Sequence, residues 1–270
     1  MTVYKALTIA GSDSGGGAGI QADLKTFQEL GAYGMSVITA VTAQNTLGVQ
    51  GVYPVSMEGI VQQLDAIGQD LGPHASKTGM LHSGEVIEAV SERIHHYGWK
   101  NLVVDPVMIA KGGAKLLQDE AIRALKEQLI PLSAVITPNL PEAEVITGIK
   151  IETLEDRKDA SKMLIEMGTK SVVIKGGHAD GEQVIDLFYD GTTFEEMVSP
   201  RIETFHTHGT GCTFSAAITA QLAKGMDIRE AVKTAKAFTR AAIENPLGIG
   251  NGHGPTNHWA YNRKTIGESE

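Results

Sequence analysis

Short apolar runs rich in β-branched residues alternate with longer amphipathic stretches along the chain. The apolar runs lie at residues 6–10, 37–41, 102–104, 134–136 and 172–174. Between them, apolar positions recur at helical spacing in residues 20–30, 57–69, 85–97, 119–129 and 154–167. Strands that alternate with helices in this way predict a parallel sheet flanked by helices.

A different pattern follows the last of these helices. Residues 184–189 and 192–198 are two β-rich runs joined through Asp190-Gly191, which predicts an antiparallel hairpin near the C-terminal edge of the sheet. No repeat, charge block or Pro/Ser-rich linker interrupts the 270 residues. The sequence therefore predicts an α/β fold with a mostly parallel central sheet, helices on both faces, and one domain over residues 1–270.

Composition narrows the class of protein. Hydrophobic residues make up 42% of the chain and charged residues 20%, as in an ordinary soluble enzyme. A net charge of -9 argues against a nucleic-acid partner, because no basic surface is available to replace phosphate counterions. Residues 1–10 have no long apolar region and no small-residue cleavage pattern, so we expect no secretory signal, and no apolar stretch approaches membrane-spanning length. Its single cysteine, Cys212, cannot form an internal disulfide, so we expect a cytoplasmic protein without a membrane partner.

The strongest chemical signal is the segment His-Thr-His-Gly-Thr-Gly-Cys at residues 206–212. Gly209, Thr210 and Gly211 precede a run of small helix-forming residues, so their N–H groups can converge at a helix N-terminus that attracts an anion. Cys212 would lie in the first turn, where a thiol pKa is lowered and the thiolate can act as a base. A buried structural cysteine is the alternative, and the flanking glycines favour the anion site.

A second glycine-rich segment, residues 11–19, follows the first strand and begins a helix. No Lys-Ser/Thr pair follows as in a P-loop, and no acidic residue ends the second strand as in a dinucleotide fold. These glycines instead suit close approach of the backbone to a small substrate. Asp23, one turn into the helix, is either a polar anchor for that substrate or a solvated carboxylate favoured by the helix dipole.

Carboxylates and an amide follow two other strands. Asn139 and Glu142 would share one side of a helix's first turn, where they could hold Mg²⁺ through its waters. They also fit an ordinary capping pair. Asp105, just past another strand, could add a charge to the metal site.

Further candidates occupy other strand ends. Lys175 could meet a polyphosphate, or could be an ordinary solvated lysine. The carboxamide of Gln44 can both donate to and accept from the edge of a heterocycle, although it could also satisfy a turn. Met80 and Val107 could form apolar walls of a pocket, or belong to the core.

Three segments together resemble the hydroxymethylpyrimidine/phosphomethylpyrimidine kinases of thiamine synthesis, which belong to the ribokinase-like superfamily. They are Ala-Gly-Ser-Asp with the following Gly-Gly-Ala-Gly-Ile-Gln-Ala-Asp at residues 10–23, Thr-Pro-Asn with Glu at 137–142, and Thr-His-Gly-Thr-Gly-Cys at 207–212. The resemblance extends over nearly the whole chain. It implies ATP and Mg²⁺ as cofactors and a homodimeric enzyme.

The resemblance also implies a distribution of roles. The family's pyrimidine site maps onto Gly11, Ala18, Gly19, Asp23, Gln44, Met80 and Val107. ATP would lie toward the C-terminal half, with Lys175 and Asn139 assigned to the nucleotide and Asp105 and Glu142 to the metal. In much of the superfamily an aspartate is the base at the position of Cys212. A thiolate at that position agrees with the pattern of the pyrimidine-kinase subfamily.

The mechanism is then a hypothesis. Cys212 accepts the proton of the substrate hydroxymethyl group while the amides of Gly209, Thr210 and Gly211 stabilise the transferring phosphoryl group. The resemblance implies a second transfer, to the monophosphate. Pyridoxal kinase is the alternative enzyme, because it shares every phosphate-handling feature and differs in the heterocycle pocket. A vitamin-binding protein without turnover is the alternative from another class, and the complete segment from Gly209 to Cys212 argues against it.

Overall fold

The computed structural model describes residues 2–108, 117, 120–179 and 181–267, with the backbone alone for 264–267. Within these residues one sheet contains nine strands. They are β1 (Lys5–Asp13), β2 (Tyr33–Asn45), β3 (Gly48–Pro54), β4 (Ala75–Thr78), β5 (Leu102–Val104), β6 (Ser133–Ile136), β7 (Val172–Ile174), β8 (Gln183–Tyr189) and β9 (Phe194–Pro200).

The strand order in space is β3-β2-β1-β4-β5-β6-β7-β8-β9. The six strands from β2 to β7 in this order pair in parallel. Antiparallel pairs lie at both edges, β2 with β3 on one side and β7, β8 and β9 on the other. The predicted parallel sheet and the predicted hairpin are confirmed.

The first six helices lie between strands along the chain, and the last three follow β9. The helices are α1 (Gly19–Glu29), α2 (Met57–Ala66), α3 (Gly84–His96), α4 (Ala121–Ala124), α5 (Leu140–Thr147), α6 (Leu154–Glu166), α7 (Thr210–Ala223), α8 (Ile228–Glu244) and α9 (Ala260–Gly267). Five-residue π-helical turns extend α2 and α4, at Ile67–Leu71 and Leu125–Leu129. In the part of the chain that the structure describes, no helix is long and apolar enough to cross a bilayer.

Two hydrophobic clusters cover the two faces of the sheet. Because side chains alternate along a strand, Leu7 and Ile9 of β1 face the cluster formed with α2 to α6, while Ala6 faces the cluster formed with α1, α7 and α8. Helices on both faces therefore leave the carboxyl ends of the parallel strands as the edge where loops can build a site.

The strand and helix predictions lack two strands and two helices of the structure, β3, β4, α8 and α9, and the bounds of α4 also differ. β3 is missing from the prediction because it contains two glycines and is largely exposed, and β4 because Ala-Ser-Lys-Thr has one apolar residue. The helix predicted over 119–129 is α4 with its π-helical turn, and residue 119 lies outside the described residues.

Candidate active site

The first glycine loop is organised by Asp13, the last residue of β1. Its carboxylate accepts hydrogen bonds from the N–H groups of Gly15 at 2.8 Å, Gly17 at 2.9 Å and Ala18 at 2.8 Å. His208 Nε2 lies 2.8 Å from Asp13 Oδ2. Burial raises the pKa of Asp13, but the bonds from His208 and the loop amides outweigh it and hold the pKa below its usual value. The carboxylate therefore stays ionised at neutral pH and fixes the loop.

Two glycines allow this loop to dock against the 206–212 segment. Gly209 has φ +82°, and a Cβ there would collide with the carbonyl oxygen of Gly17. Gly19 has φ +55°, and a Cβ there would collide with the carbonyl oxygen of Gly11. A side chain at either position would require a strained backbone as well as displacement of the loop. The structure thus places the loop from Gly11 to Gly19 against the turn that begins at Gly209.

Gly209 is the N-cap of α7, and no side chain caps this helix end. The next residue, Thr210, turns its hydroxyl back to the carbonyl oxygen of Thr207, at 2.7 Å. The helix is buried from Thr213 to Ala223, whereas its first turn is partly exposed. The Thr210 N–H also donates to the Thr207 carbonyl oxygen, at 3.3 Å, so the anion-binding character of the turn rests on the N–H groups of Gly209 and Gly211.

Cys212 follows this turn and is partly exposed. Burial raises the pKa of its thiol to about 12; Lys77 and a hydrogen bond from the Gly19 N–H lower it, whereas the carboxylates of Asp23 and Asp105 raise it. The expectation of a lowered thiol pKa is therefore wrong for the protein without ligands. Burial and the two carboxylates outweigh the charge of Lys77 and the hydrogen bond from Gly19.

A fully buried ion pair lies beside this thiol. Lys77 Nζ is 2.8 Å from Asp23 Oδ1, and neither side chain is exposed to solvent. Thr8 Oγ1 donates to the other carboxylate oxygen of Asp23 at 2.6 Å. Burial lowers the pKa of Lys77, but Asp23, Cys212 and Asp105 raise it more, and the net pKa is above its usual value. Asp23 is thus held beneath the glycine loop, and direct contact with a substrate stays a prediction.

A second ion pair adjoins the helix N-terminus. Lys175 Nζ lies 3.0 Å from Asp105 Oδ1, and a Cβ on Gly211 would lie 3.3 Å from that Nζ and 3.7 Å from Asp105 Oδ2. Asp105 also accepts hydrogen bonds from Thr137 and Ser215, each at 3.3 Å. Burial raises its pKa, but Lys175 and Lys77 lower it more strongly. Lys175 therefore places a positive charge where a bound polyphosphate would meet the turn.

Asn139 and Glu142 form the capping box of α5. The Asn139 side chain accepts from the Glu142 N–H at 2.9 Å, and Glu142 Oε2 accepts from the Asn139 N–H at 2.8 Å. Burial raises the pKa of Glu142 to about 7; Lys175 lowers it, and Asp105 raises it. The structure is thus compatible with both roles considered for this pair, a helix cap and a Mg²⁺ site. The cap is formed, and the Glu142 carboxylate also lies near the charges of Lys175 and Asp105.

The carboxylates of Asp105 and Glu142 show whether a Mg²⁺ ion fits this site. Among the described residues no group of three or more His, Cys, Asp or Glu side chains forms a metal site. Mg²⁺ keeps most of its waters and needs one or two carboxylates together with substrate phosphates. Asp105 and Glu142 provide hard oxygen donors whose mutual repulsion raises the pKa of Glu142. The donor set therefore fits a magnesium ion held jointly with a nucleotide.

Met80 and Gln44, two of the predicted pocket residues, lie against the first glycine loop. A Cβ on Gly11 would collide with the Met80 side chain, so Met80 packs directly under the loop. Gln44 is half-buried, and its side chain lies 3.4 Å from His208 Nε2. Ala18 and Val107 are likewise partly exposed, and Val107 follows Asp105 with its N–H bonded to that residue's carbonyl.

Three functional candidates were missed by sequence reasoning. Asp13 and His208 lie inside the two glycine-rich motifs, but their mutual contact joins residues far apart in the chain. Lys77 could have been found from the sequence. It lies near the end of a short strand, directly before Thr-Gly-Met, and ligand sites lie at the carboxyl ends of parallel strands, as was argued for Lys175.

The fold and this site define a ribokinase-like kinase, in which a partly exposed helix N-terminus packs against a glycine loop beside two ion pairs. The family model described as phosphomethylpyrimidine kinase matches residues 13–257. The chain belongs to this phosphomethylpyrimidine kinase family.

Individual relatives agree with this assignment. The chain is 59% identical to the hydroxymethylpyrimidine/phosphomethylpyrimidine kinase of Bacillus subtilis, over 100% of both chains. Among solved structures, an ADP complex of Bacillus subtilis pyridoxal kinase is similar with a TM-score of 0.90 at 46% identity, covering 97% of this chain and 99% of the other. Phosphomethylpyrimidine kinase from Clostridium difficile is similar with a TM-score of 0.80 at 48% identity, covering 90% and 100%.

Proposed function

We propose that the protein transfers the γ-phosphoryl group of ATP to the hydroxymethyl group of 4-amino-5-hydroxymethyl-2-methylpyrimidine, and then a second phosphoryl group to the monophosphate. The product is the pyrimidine diphosphate used for thiamine synthesis. Family membership and the Bacillus subtilis relative's name support this substrate. The ADP complex of a similar kinase supports an adenine nucleotide as the phosphoryl donor.

One observation carries the proposal. The N-terminus of α7 has no side-chain cap, and both the Lys175–Asp105 pair and the first glycine loop lie against its first turn. A site for a transferring phosphoryl group needs donors and positive charge where negative charge develops, next to a pocket for the acceptor. The amides of the Gly209–Gly211 turn and Lys175 would supply the former. The loop from Gly11 to Gly19 would hold the acceptor alcohol.

Cys212 is proposed as the proton acceptor. The substrate O–H bond breaks as its oxygen bonds to the γ-phosphorus, the bond to the leaving ADP oxygen breaks, and the proton passes to Sγ. With a thiol pKa of about 12, only about one molecule in 10⁵ carries the thiolate at pH 7. A loose phosphoryl-transfer transition state needs little early deprotonation of the alcohol. Lys77 lies where its charge stabilises the thiolate.

Asp105 and Glu142 would hold Mg²⁺ jointly with the nucleotide, while Asn139 and Lys175 would contact the phosphates. The ion, when bound, supplies charge neutralisation on the polyphosphate. In the protein itself, Lys175 already neutralises Asp105 and lowers the pKa of Glu142. These side chains therefore keep the cluster close to neutral before the nucleotide arrives.

Pyridoxal kinase activity is the second candidate. The structural similarity to the Bacillus subtilis pyridoxal kinase, over nearly the full length of both chains, favours it. The two activities share the phosphate-handling residues and differ at the heterocycle. Gln44 supports the aminopyrimidine, because a carboxamide matches an edge that carries an amino group beside a ring nitrogen.

A substrate panel with ATP and Mg²⁺ tests the proposal. The aminopyrimidine alcohol, its monophosphate and pyridoxal are supplied separately, and the mono- and diphosphate products are separated by chromatography. We expect both phosphorylations of the pyrimidine and slower or no turnover of pyridoxal. Faster turnover of pyridoxal would replace the proposed function by the second candidate.

The location, domain organisation, oligomeric state and binding partner of the enzyme are also proposed. A cytoplasmic location fits a chain with one cysteine and hence no internal disulfide. We further propose one ribokinase-like kinase domain over residues 1–270 and a homodimer, the latter on the family resemblance alone. A small molecule, rather than a nucleic acid or a membrane, is the proposed binding partner.

A further inference from the structure

The ladder between β7 and β8 ends at a side chain instead of a backbone carbonyl. Its last pair is Ile174 with Leu187. The same antiparallel register would next place Gly176 opposite Ile185 and join their backbones. The Gly176 N–H instead donates to Asp186 Oδ1 at 2.8 Å. A carboxylate, which is a stronger acceptor than an amide carbonyl, therefore replaces the ladder bond where the chain leaves β7.

The Ile185 carbonyl has a different partner. It accepts from the guanidinium of Arg157, on α6, at 2.8 Å. The same carbonyl lies so close to Gly176 that a Cβ there would collide with it. A residue with a side chain could not pass at this point, so glycine is what allows the N–H to reach Asp186.

The N–H groups on both sides of the Lys175 Cα are therefore bonded in opposite directions. Its own N–H donates to the carbonyl oxygen of Pro138 at 2.8 Å, on the β6 side. The following N–H, of Gly176, donates to Asp186 on the β8 side. These two bonds leave the backbone little freedom, so the side chain departs in one direction. In that direction, Lys175 Nζ lies 3.0 Å from Asp105 Oδ1, beside the first turn of α7.

Asp186 is itself held by a cation from α8. Lys236 Nζ lies 2.7 Å from Asp186 Oδ2 and donates to the carbonyl oxygen of Met197, on β9, at 2.6 Å. The side chains of Asp186 and Lys236 are 12% and 17% exposed, so solvent screens this pair weakly. One carboxylate oxygen thus faces the lysine, and the other faces the Gly176 N–H.

The rest of the loop after β7 has separate support. Arg201, just past β9, donates to the carbonyl oxygens of Gly177 at 3.2 Å and Gly181 at 2.7 Å. A further guanidinium N–H donates to the carbonyl oxygen of Ala179. These contacts begin one residue beyond the amide that Asp186 accepts from. Loss of the Asp186 carboxylate would therefore release the beginning of the loop while Arg201 still holds the remainder.

From these contacts we infer that Asp186 is a positioning residue for nucleotide binding: by accepting from the Gly176 N–H, it directs Lys175 toward the phosphates, and Lys236 keeps it in place. A lysine is a point charge on a flexible stem, so its contribution to affinity depends on how far it is ordered before the ligand arrives. This inference rests on the proposed function, because it takes Lys175 as a ligand of the polyphosphate.

The test compares two variants that differ only in the acceptor for Gly176. Asp186→Asn/Lys236→Met keeps an oxygen that can accept from this N–H, Asp186→Ala/Lys236→Met lacks it, and neither contains an unpaired ammonium. Calorimetry measures dissociation constants for the ATP analogue AMP-PCP with Mg²⁺ and for the aminopyrimidine alcohol. We expect the Ala variant to bind AMP-PCP about 3- to 30-fold more weakly than the Asn variant, as for loss of one hydrogen-bond acceptor. Both should bind the pyrimidine equally.

The same comparison in a Lys175→Met background separates positioning from structural damage. The Asn and Ala variants should then bind AMP-PCP equally, because the effect of Asp186 passes through the lysine. An undiminished difference in that background would overturn the inference. So would a Lys175→Met protein that binds AMP-PCP as tightly as wild type, or an Ala variant whose affinity for the pyrimidine falls as much as its affinity for AMP-PCP.

Two further measurements apply if Asp186→Ala/Lys236→Met does not fold. Asp186→Leu/Lys236→Met fills the space without an acceptor and takes its place, with the same expected and contrary results. Amide hydrogen exchange is followed by NMR in the wild-type protein, where the Gly176 N–H should exchange slowly because it is bonded. Exchange at the rate of an exposed loop amide would overturn the inference.

The control variant is Lys233→Met, on the same helix as Lys236. Its ion pair with Glu230, at 3.0 Å, has side chains 45% and 58% exposed, and the substitution should change neither dissociation constant. Turnover of the aminopyrimidine with ATP by wild-type protein is measured in parallel. If wild type does not phosphorylate the pyrimidine, the proposed function fails. If it does and the Asn and Ala variants bind AMP-PCP equally, only the role of Asp186 fails.

Discussion

At the scale of single residues, two opposing sets of groups act on the pKa of the Cys212 thiol. The N-terminus of α7, the Gly19 N–H and Lys77 favour the thiolate, whereas burial and the carboxylates of Asp23 and Asp105 favour the thiol. The second group dominates, and the pKa is raised to about 12. A thiol in this setting is a strong base when ionised but is ionised rarely. Only the ionised form can accept the proton that the alcohol loses late in phosphoryl transfer.

We predict that Cys212→Ala lowers kcat by roughly 10²–10⁴-fold, the usual contribution of a positioned general base, while the dissociation constants of ATP and the pyrimidine stay nearly unchanged. Steady-state kinetics and calorimetry measure the two effects. Because the chain has one cysteine, alkylation by iodoacetamide reports on this thiol alone. Its rate in the free enzyme should rise about tenfold per pH unit up to pH 10, with no plateau, because the thiolate is the nucleophile.

Two results would count against this description of Cys212. An alkylation rate that levels off near pH 7 or 8 would show that the thiol ionises at ordinary pH. Near-normal turnover of Cys212→Ala would remove the proton-accepting role and leave the amides of the Gly209–Gly211 turn as the main catalytic feature.

Gln44 provides the second prediction at this scale. Gln44→Met should lower kcat/KM for the aminopyrimidine more than for pyridoxal, since a thioether cannot pair with an amino group beside a ring nitrogen. The lost pairing corresponds to about 1–3 kcal/mol. Side-by-side kinetics on the two alcohols measure it. Equal losses would indicate that Gln44 supports the fold of the loop rather than the recognition of the ring.

The residues of the site differ in how far the sequence could predict them. The glycines at 11, 19, 209 and 211 were predictable, because a glycine-rich turn between a strand and a helix has few other uses. The pKa of Cys212 was not, since it depends on carboxylates from α1 and the end of β5 that sequence distance does not reveal. Asp13 and His208 were missed for the same reason, because their function lies in a contact across the chain.

At the scale of elements, the start of α5 combines a helix cap with a charged group of the site. The capping box requires only a hydrogen-bond acceptor at Glu142, which glutamine also provides. Glu142→Gln therefore removes the charge and keeps the cap. We predict that this variant needs a higher Mg²⁺ concentration for half-maximal activity, with little change in thermal stability or in pyrimidine binding without nucleotide.

The pH dependence makes this prediction more specific. Metal binding needs the ionised carboxylate, and the pKa of Glu142 is raised to about 7. The Mg²⁺ requirement of the wild-type enzyme should thus rise as the pH falls through 7, and that of Glu142→Gln should not. Glu142→Ala is the matched comparison, because it also loses the cap and should lower the melting temperature. A wild-type Mg²⁺ requirement that stays constant between pH 6 and 8 would refute the assignment of Glu142 to the ion.

Most elements of the sheet could be predicted from periodicity, since β1, β2, β5, β6 and β7 are apolar runs between amphipathic helices. β4 could not, although all four of its residues are buried. Central strands of a parallel sheet are normally apolar because both of their faces are buried. Lys77 departs from this pattern, and its ion pair with Asp23 of α1 makes its burial possible. The order of the strands in space is likewise a property of long-range packing.

At the scale of the whole molecule, the site forms where segments distant in sequence meet at one edge of the sheet. The glycine loop after β1 contacts the turn before α7, and Gly252 near the C-terminal end packs against Thr46 in the β2–β3 turn. Below them, the Lys77–Asp23 pair links β4 to α1 across the buried face of the sheet. The stability of this face and the position of Asp23, for which a substrate contact is predicted, therefore depend on the same ion pair.

That dependence gives a prediction for global stability. Lys77→Met leaves the Asp23 carboxylate buried without its cation, and we expect a loss of about 3–5 kcal/mol in the free energy of unfolding, the usual effect of breaking a buried pair. In Lys77→Met/Asp23→Asn the uncompensated charge is gone and the amide oxygen can still accept from Thr8. The double variant should then lose clearly less than the sum of its single variants, measured as midpoints of urea denaturation at constant slope.

The surface pair Lys162–Asp159, at 2.8 Å with both side chains about half exposed (48% and 54%), is the matched control for this experiment. Lys162→Met should cost less than about 1 kcal/mol, because solvent screens an exposed pair and replaces the lost contact. If the Lys77 and Asp23 losses instead add without coupling, the two side chains stabilise the fold separately and the link between β4 and α1 is not electrostatic. If coupling is found but Lys77→Met/Asp23→Asn has lost turnover while still binding ATP and pyrimidine, the pair supports catalysis beside Cys212 in addition to holding the fold.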